Sequence, residues 1–237
     1  MIVARWPEPP GIPQEPEAYL ANVDRCAERD AYHSLTIEGY QVSPELIARV
    51  ASGGRGDPED KNRLATIGYL AALHRVREDL QHIFSGRSPA EVTRVGVDVW
   101  HQELFLPLAQ AGLIEHKDLL GYRRQPVYIR GARHVPPRFD ALPDAVDALF
   151  HCLEREDHAA VRAILGHFVF TWIHPYEDGN GRVARLLMNT QLASGGYPWT
   201  TLRYEDRGRY LSALDSASDD DDIRPFADYV REAMEAE

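Results

Sequence analysis

The run His174-Pro175-Tyr176-Glu177-Asp178-Gly179-Asn180-Gly181-Arg182-Val183-Ala184-Arg185 decides the reading of this chain. Ahead of it, Val161, Ile164, Leu165, Phe168 and Trp172 recur at helical spacing; behind it, Val183, Leu186, Leu187 and Thr190 do the same. Pro175 disfavours helical geometry at the residue before it, so the first helix should stop at His174 and leave the imidazole at its end. Gly179-Asn180-Gly181 suits a tight turn, because glycine, and asparagine to a lesser degree, accept positive φ. A turn that feeds straight into a helix aims unpaired N–H groups and the positive end of the dipole at one spot, which makes an anion site. Arg182 and Arg185 share a helix stripe that Asn189 continues, offset from the apolar stripe. Guanidinium forks match phosphate oxygens. Asp178 offers one carboxylate beside the cradle, and Mg²⁺ is commonly held by one carboxylate plus phosphate oxygens and water. His174, with an ordinary pKa near ~6.5, suits a general base at neutral pH. Each feature alone is an ordinary helix-end feature. Their conjunction within one short run predicts a phosphoryl- or nucleotidyl-transfer site.

Working outward, a helix is expected from Glu17, with Leu20, Val23, Ala27, Ala31 and Leu35 on one face and Gly39 placed to end it. Glu38 is oddly placed there, since a carboxylate in a last turn faces the negative end of the dipole at a cost of about 0.3–1 kcal/mol. A cationic partner would offset that, and Arg185 is a candidate. Further helices are expected over 63–84, over 89–108, from Pro143, and from Asp157 to His174. A closing amphipathic helix carries Phe226, Tyr229, Val230 and Met234. Val127-Tyr128-Ile129 and His134-Val135 flank Arg130-Gly131-Ala132 and read as a small hairpin. His74, His82 and His101 are expected to be surface or satisfied core histidines. The four aspartates at 219–222 read as a solvated turn.

Composition bounds the partners. Net charge is −11, so a broad nucleic-acid footprint is not expected. There is no apolar run near 18 residues and no signal-peptide pattern, and Cys26 and Cys152 match no disulfide or zinc spacing; the expectation is a cytoplasmic protein, not membrane-embedded, with reduced thiols. Residues 1–16, with Pro7, Pro9, Pro10, Pro13 and Pro16, should be an extended arm, and Trp6 is expected to dock on the body.

His174 to Arg185 resembles the signature of Fic-domain proteins, H-P-F-x-(D/E)-G-N-G-R-x-x-R, with Tyr176 in place of the usual phenylalanine. A buried tyrosine hydroxyl would need a polar partner or a route to water. Ser34-x-x-x-Glu38-Gly39 is similar to that family's (S/T)-x-x-x-E-(G/N) inhibitory motif, in the class that carries it ahead of the core. The resemblance covers roughly residues 17–230. It implies an all-α, Fic-type helical bundle with a small β-hairpin flap, divided as a Pro-rich arm (1–16), an inhibitory helix (17–39) and a Fic core (40–237). It also implies transfer of AMP from ATP to a Ser, Thr or Tyr hydroxyl of a target protein. His174 would then be the base and Asp178 the Mg²⁺ holder. Asn180 would contact the α-phosphate, and the backbone from Gly179 through Gly181 to Arg182 would form the cradle. Arg182 would grip the β-phosphate and Arg185 the γ-phosphate, with Ser34 and Glu38 inhibitory. Val127, Tyr128, Ile129, Arg130 and Gly131 would be the flap that holds the target. A homo-oligomer stays open. So do transfer of UMP, phosphocholine or phosphate, removal of AMP, and nucleotide binding without catalysis.

Overall fold

The computed structural model describes residues 2–129 and 131–237. Its centre is the helix that follows the signature run. This helix, α7 (Asn180–Ser194), is buried on nearly every side, Gly181 excepted. The others are α1 (Pro16–Ile37), α2 (Pro44–Ala51), α3 (Lys61–Phe84), α4 (Pro89–Gln110), α5 (Leu142–Arg155), α6 (Ala159–Ile173), α8 (Arg207–Asp219) and α9 (Arg224–Glu235). Among the described residues no helix is long and apolar enough to cross a membrane.

Local chemistry sets the helix ends. Pro16 opens α1, and Gly39 leaves it at φ 93°, a conformation that glycine accepts at least cost. Ser43 Oγ accepts from Leu46 N at 3.2 Å at the start of α2. At α3, Asp60 Oδ1 accepts from Asn62 N at 2.9 Å and Arg63 N at 3.3 Å. Ser88 with Pro89 starts α4, its Oγ accepting from Glu91 N. Asp157 does not cap α6: His158 takes the cap position without a side-chain bond, and the Asp157 carbonyl instead accepts from Arg162 Nη1 at 2.8 Å.

Two apolar clusters grip α7 from opposite sides. Tyr69, Trp100, Leu104, Val183, Leu186 and Leu187 belong to the first, which Leu20, Val23, Ala31 and Leu35 of α1 join. Ile164, Met188, Leu192, Phe226 and Val230 belong to the second. Each fully buried leucine or isoleucine contributes about 1.5–3 kcal/mol. The proline-rich arm docks as expected: Trp6 is buried edge-on to Tyr197, with ring centroids 5.5 Å apart, and Pro7 O accepts from Tyr197 Oη at 2.6 Å. Its extended course is interrupted by one short 3₁₀ turn, Val3–Arg5.

The hairpin is corrected. No strand occurs among the described residues; 126–129 run as irregular chain and a turn closes with Ala132 N donating to Ile129 O at 3.2 Å. A two-stranded ribbon alone is marginal in water. Here the segment is tied to the body by side chains instead. His134 Nε2 donates to Trp172 O at 2.8 Å and its ring stacks on Trp172; Arg123 Nη2 donates to Pro137 O at 2.5 Å.

Candidate active site

α6 stops where Pro175 requires it to, and the residue before that proline pays in conformation: His174 sits at φ 53°, ψ 59°, one of two non-glycine residues with positive φ among those described. The left-handed turn swings the imidazole off the helix end. Its Nδ1 lies 3.2 Å from Thr171 O. A carbonyl can only accept, so Nδ1 carries the hydrogen and Nε2 keeps its lone pair. Burial pushes the His174 imidazole below its ordinary value, and Arg123 adds to that, against the Thr171 carbonyl, Glu38 and Asp178. The ring is therefore neutral at pH 7 and has a lone pair to accept a proton.

The loop behind it is pinned from inside. Tyr176 is buried, stacked on His101 with centroids 3.8 Å apart, and its hydroxyl finds the required partner in Asp98 Oδ1 at 2.5 Å. His101 Nε2 donates to Asp178 O at 3.1 Å, which makes it a satisfied core histidine; burial holds it down at about 4. Asn180 spends its side chain on the loop, accepting from Tyr176 N at 2.9 Å and donating to Tyr176 O at 2.8 Å. Its backbone N–H stands in the first turn of α7. Gly179, at φ 88°, turns the chain into α7, and a Cβ there would lie 2.6 Å from Phe105 Cε2. The first N–H groups of α7 then have no carbonyl behind them within the helix.

Two buried arginines stand beside this helix start. The Arg182 guanidinium lies between the rings of Phe105 (4.7 Å) and Tyr40 (5.2 Å), with Nη2 3.2 Å from Asp178 Oδ2. Arg185 donates from Nε to Ser34 Oγ at 2.9 Å and from Nη2 to Ser34 O at 3.1 Å and Glu38 Oε1 at 2.7 Å. Burial works to lower the Arg185 guanidinium, but Glu38 and the neighbouring tyrosines hold it above its ordinary value. Among the described residues, Arg182 Nε and Arg185 Nη1 are buried donors without a partner. Burying such groups is costly unless something pairs with them. The Glu38 carboxylate itself lies against the helix start: a Cβ on Gly181 would come 2.5 Å from Glu38 Oε1 and 3.3 Å from Arg185 Nη1.

Glu38, His174, Gly181 and Arg185 line one cavity of about 250 Å³, with Phe168, Leu211 and Leu214 on its apolar side. Ile129, Gly131, Ala132 and His134 also line it; Tyr128 is 80 % exposed and Val127 half-buried beside it, while Arg130 lies outside the described residues. Asp178 is outside the cavity wall, its side chain 63 % exposed. Among the described residues no group of three or more His, Cys, Asp or Glu could hold a metal. Of the acidic run 219–222, Asp219 ends α8 and the other three enter the turn to α9, where Asp222 pairs with Arg224.

Sequence reasoning missed Arg123, Tyr40, Asp98 and Phe105. A lone arginine or aromatic carries no spacing signal; only the fold brings these against the signature loop.

A model of the Fic/DOC family matches residues 92–192. Over 92% of its length the chain is 37% identical to the protein adenylyltransferase Fic of Drosophila virilis, of which it covers 42%. A similar match, 36% identical over 93% of the chain, is to the protein of that name from Culex quinquefasciatus, again covering 41% of the relative. The chain thus spans about two fifths of the curated relatives it matches. Among solved structures, Fic-1 (residues 134–508) from C. elegans superposes with a TM-score of 0.74 at 25% identity, over 91% of this chain and 63% of that one. A Fic domain containing signaling protein from Bacteroides thetaiotaomicron shares the fold, with a TM-score of 0.71 at 22% identity over 94% and 87% of the two chains.

Proposed function

The chain belongs to the Fic/DOC family, and from that we propose that it is a protein adenylyltransferase restrained by its own Glu38. It moves AMP from ATP onto a Ser, Thr or Tyr hydroxyl of a target protein. The observation that carries this reading is the Glu38–Arg185 pair at the start of α7, in a cavity that His174 also lines.

The phosphates of ATP lie over the first turn of α7, where backbone N–H groups from Asn180 to Arg182 and the unpartnered Arg182 Nε and Arg185 Nη1 receive them. The target segment runs past Val127–Gly131 and presents its hydroxyl to the cavity. His174 Nε2 takes the hydroxyl proton as the oxygen attacks the α-phosphorus. The bond from the α-phosphorus to the α–β bridging oxygen breaks, and pyrophosphate leaves. The exposed carboxylate of Asp178, which among the described residues belongs to no group of three or more His, Cys, Asp or Glu able to hold a metal, fits Mg²⁺ bound mainly through phosphate oxygens and water. When bound, that ion neutralises phosphate charge. Glu38 restrains the reaction by occupying Arg185 and the space over Gly181 with a carboxylate of its own. Cys26 and Cys152 are unpaired, in keeping with action in the reducing cytoplasm.

The test is transfer by a Glu38→Gly protein supplied with ATP labelled at the α-phosphate. Labelled protein supports the reading; binding of ATP with no transfer by that variant overturns it.

A further inference from the structure

One side chain outside the signature touches both halves of the site. Arg123 is 3 % exposed, in the irregular chain that leads to Val127. Its Nε donates to His174 O at 2.8 Å, and its own backbone N donates to Pro175 O at 2.8 Å. Its Nη1 donates to Gln125 O at 2.9 Å and its Nη2 to Pro137 O at 2.5 Å. Those last two carbonyls stand at either end of the stretch that contains Val127–Gly131. A planar guanidinium is thus spread over three backbone carbonyls, and two consecutive carbonyls of the catalytic loop are taken by one residue.

The His174 backbone explains why such a grip is needed. A left-handed conformation is strained for a residue with a Cβ and persists only where its surroundings over-determine it. On the amino side, His174 N still closes the α6 ladder by donating to Phe170 O at 3.0 Å. On the carboxyl side the chain has left the helix, and among the described residues it is the Arg123 guanidinium that meets the His174 carbonyl. Without that donor the part-buried carbonyl would lose its protein partner and the φ, ψ pair would be free to relax, which would swing the imidazole away from the cavity.

We propose that Arg123 is the positioning residue of this site: it locks His174 in the left-handed turn that keeps the imidazole in the cavity wall, and ties the two ends of the 125–137 stretch, past which the target runs, to that same turn. This rests on the transfer reading above. A target segment seated between 125 and 137 is then in register with the base by construction, because one rigid fork holds both. Arg123 touches neither nucleotide nor hydroxyl.

The test is Arg123→Met in the Glu38→Gly full-length protein, with three readouts: kcat and KM for transfer, nucleotide affinity by calorimetry, and titration of the His174 ring by NMR, its signal assigned by loss in His174→Ala. The charged groups that act on that ring are Arg123 from the chain before Val127, Glu38 from the end of α1 and Asp178 from the loop before α7; Arg185 of α7, His134 and, from α8, Arg207 and Asp215 line the same cavity. The expected result is a fall in kcat of about a hundredfold, as for a misplaced base. Nucleotide affinity should stay within about threefold, and the His174 titration should move upward as a cation is removed. Where Arg123→Met does not keep the helical fold, Arg123→Lys serves: one ammonium cannot span three carbonyls, so kcat falls in the same direction. An unchanged kcat, or a fall matched by equal loss of nucleotide affinity, overturns the proposal; so does an unmoved His174 titration in Arg123→Met. The titration needs no nucleotide. If the parent transfers nothing, the adenylyltransferase reading fails while the NMR readout still judges Arg123.

Discussion

Arg185 Nη2 meets Glu38 Oε1 at 2.7 Å across 147 residues of sequence. The arginine belongs to the most buried helix of the fold and the glutamate caps the first. A buried guanidinium needs a counter-charge, and in this structure the chain supplies it from within. Glu38→Gly removes that charge and empties the space over Gly181. We expect auto-labelling from ATP to rise at least about tenfold, equivalent to about 1.4 kcal/mol in the barrier. The same variant should be less stable without nucleotide by about 1–3 kcal/mol, for loss of one partner of a buried pair. ATP should therefore raise its melting temperature more than it raises that of the unaltered protein. Equal shifts in the two proteins would contradict a shared site.

His174→Ala should abolish transfer in the Glu38→Gly background while ATP affinity stays within a few fold, since the imidazole sits beside the anion cradle and forms no part of it. The pH dependence follows from the direction of the shift. Burial lowers the ring from its ordinary 6.5, and the base must be neutral to act. Activity should thus rise with pH along a limb whose midpoint lies below 6.5, and be level from there through neutrality. A midpoint above 6.5 would mean another group is the base.

Tyr176→Phe restores the residue usual in the signature run. It also leaves Asp98 without the hydroxyl that donates to it. The expected cost is about 1 kcal/mol of stability by thermal unfolding, with transfer within about threefold, because the ring still stacks on His101. A large loss of kcat at unchanged stability would give the hydroxyl a role beyond packing.

Asp30 provides a stability test on α1. It accepts from Tyr69 Oη at 2.7 Å in a buried site, and burial pushes it up to about 6. The folded-state value is raised above the unfolded one, near ~3.9. Its contribution is therefore most favourable below pH 4 and is lost as pH rises through 6. Asp30→Asn should stabilise the protein above pH 6, on the order of 2 kcal/mol, and have no such benefit near pH 4. Denaturant unfolding at the two pH values decides this; equal effects at both would remove the shift.

The parts of the fold legible in the sequence were those written in short-range chemistry. Leu20, Val23, Ala31 and Leu35 announced α1 by spacing and Gly39 announced its end. Pro175 placed the end of α6 to the residue. The pairing of Glu38 with Arg185 was legible because Glu38 stands at the wrong end of a helix dipole and calls for a cation, and the run that resembles the Fic signature supplies Arg185. Residues 127–135 misled: β-branched and aromatic side chains around a glycine suit a ribbon, but tertiary anchors at Arg123 and His134 hold the segment without strand pairing. The closure of the Asn180 side chain on Tyr176 was out of reach for another reason, since nothing local announces it.

The most direct measurement uses two samples of the full-length Glu38→Gly protein with Mg²⁺, one given ATP labelled at the α-phosphate and one at the γ-phosphate, followed by mass spectrometry of the modified protein. The expected result is label from the α-position alone, as AMP on a Ser, Thr or Tyr oxygen, absent when His174 is also replaced by alanine. Label from the γ-position, or α-label that survives the loss of His174, would contradict adenylyl transfer at this site.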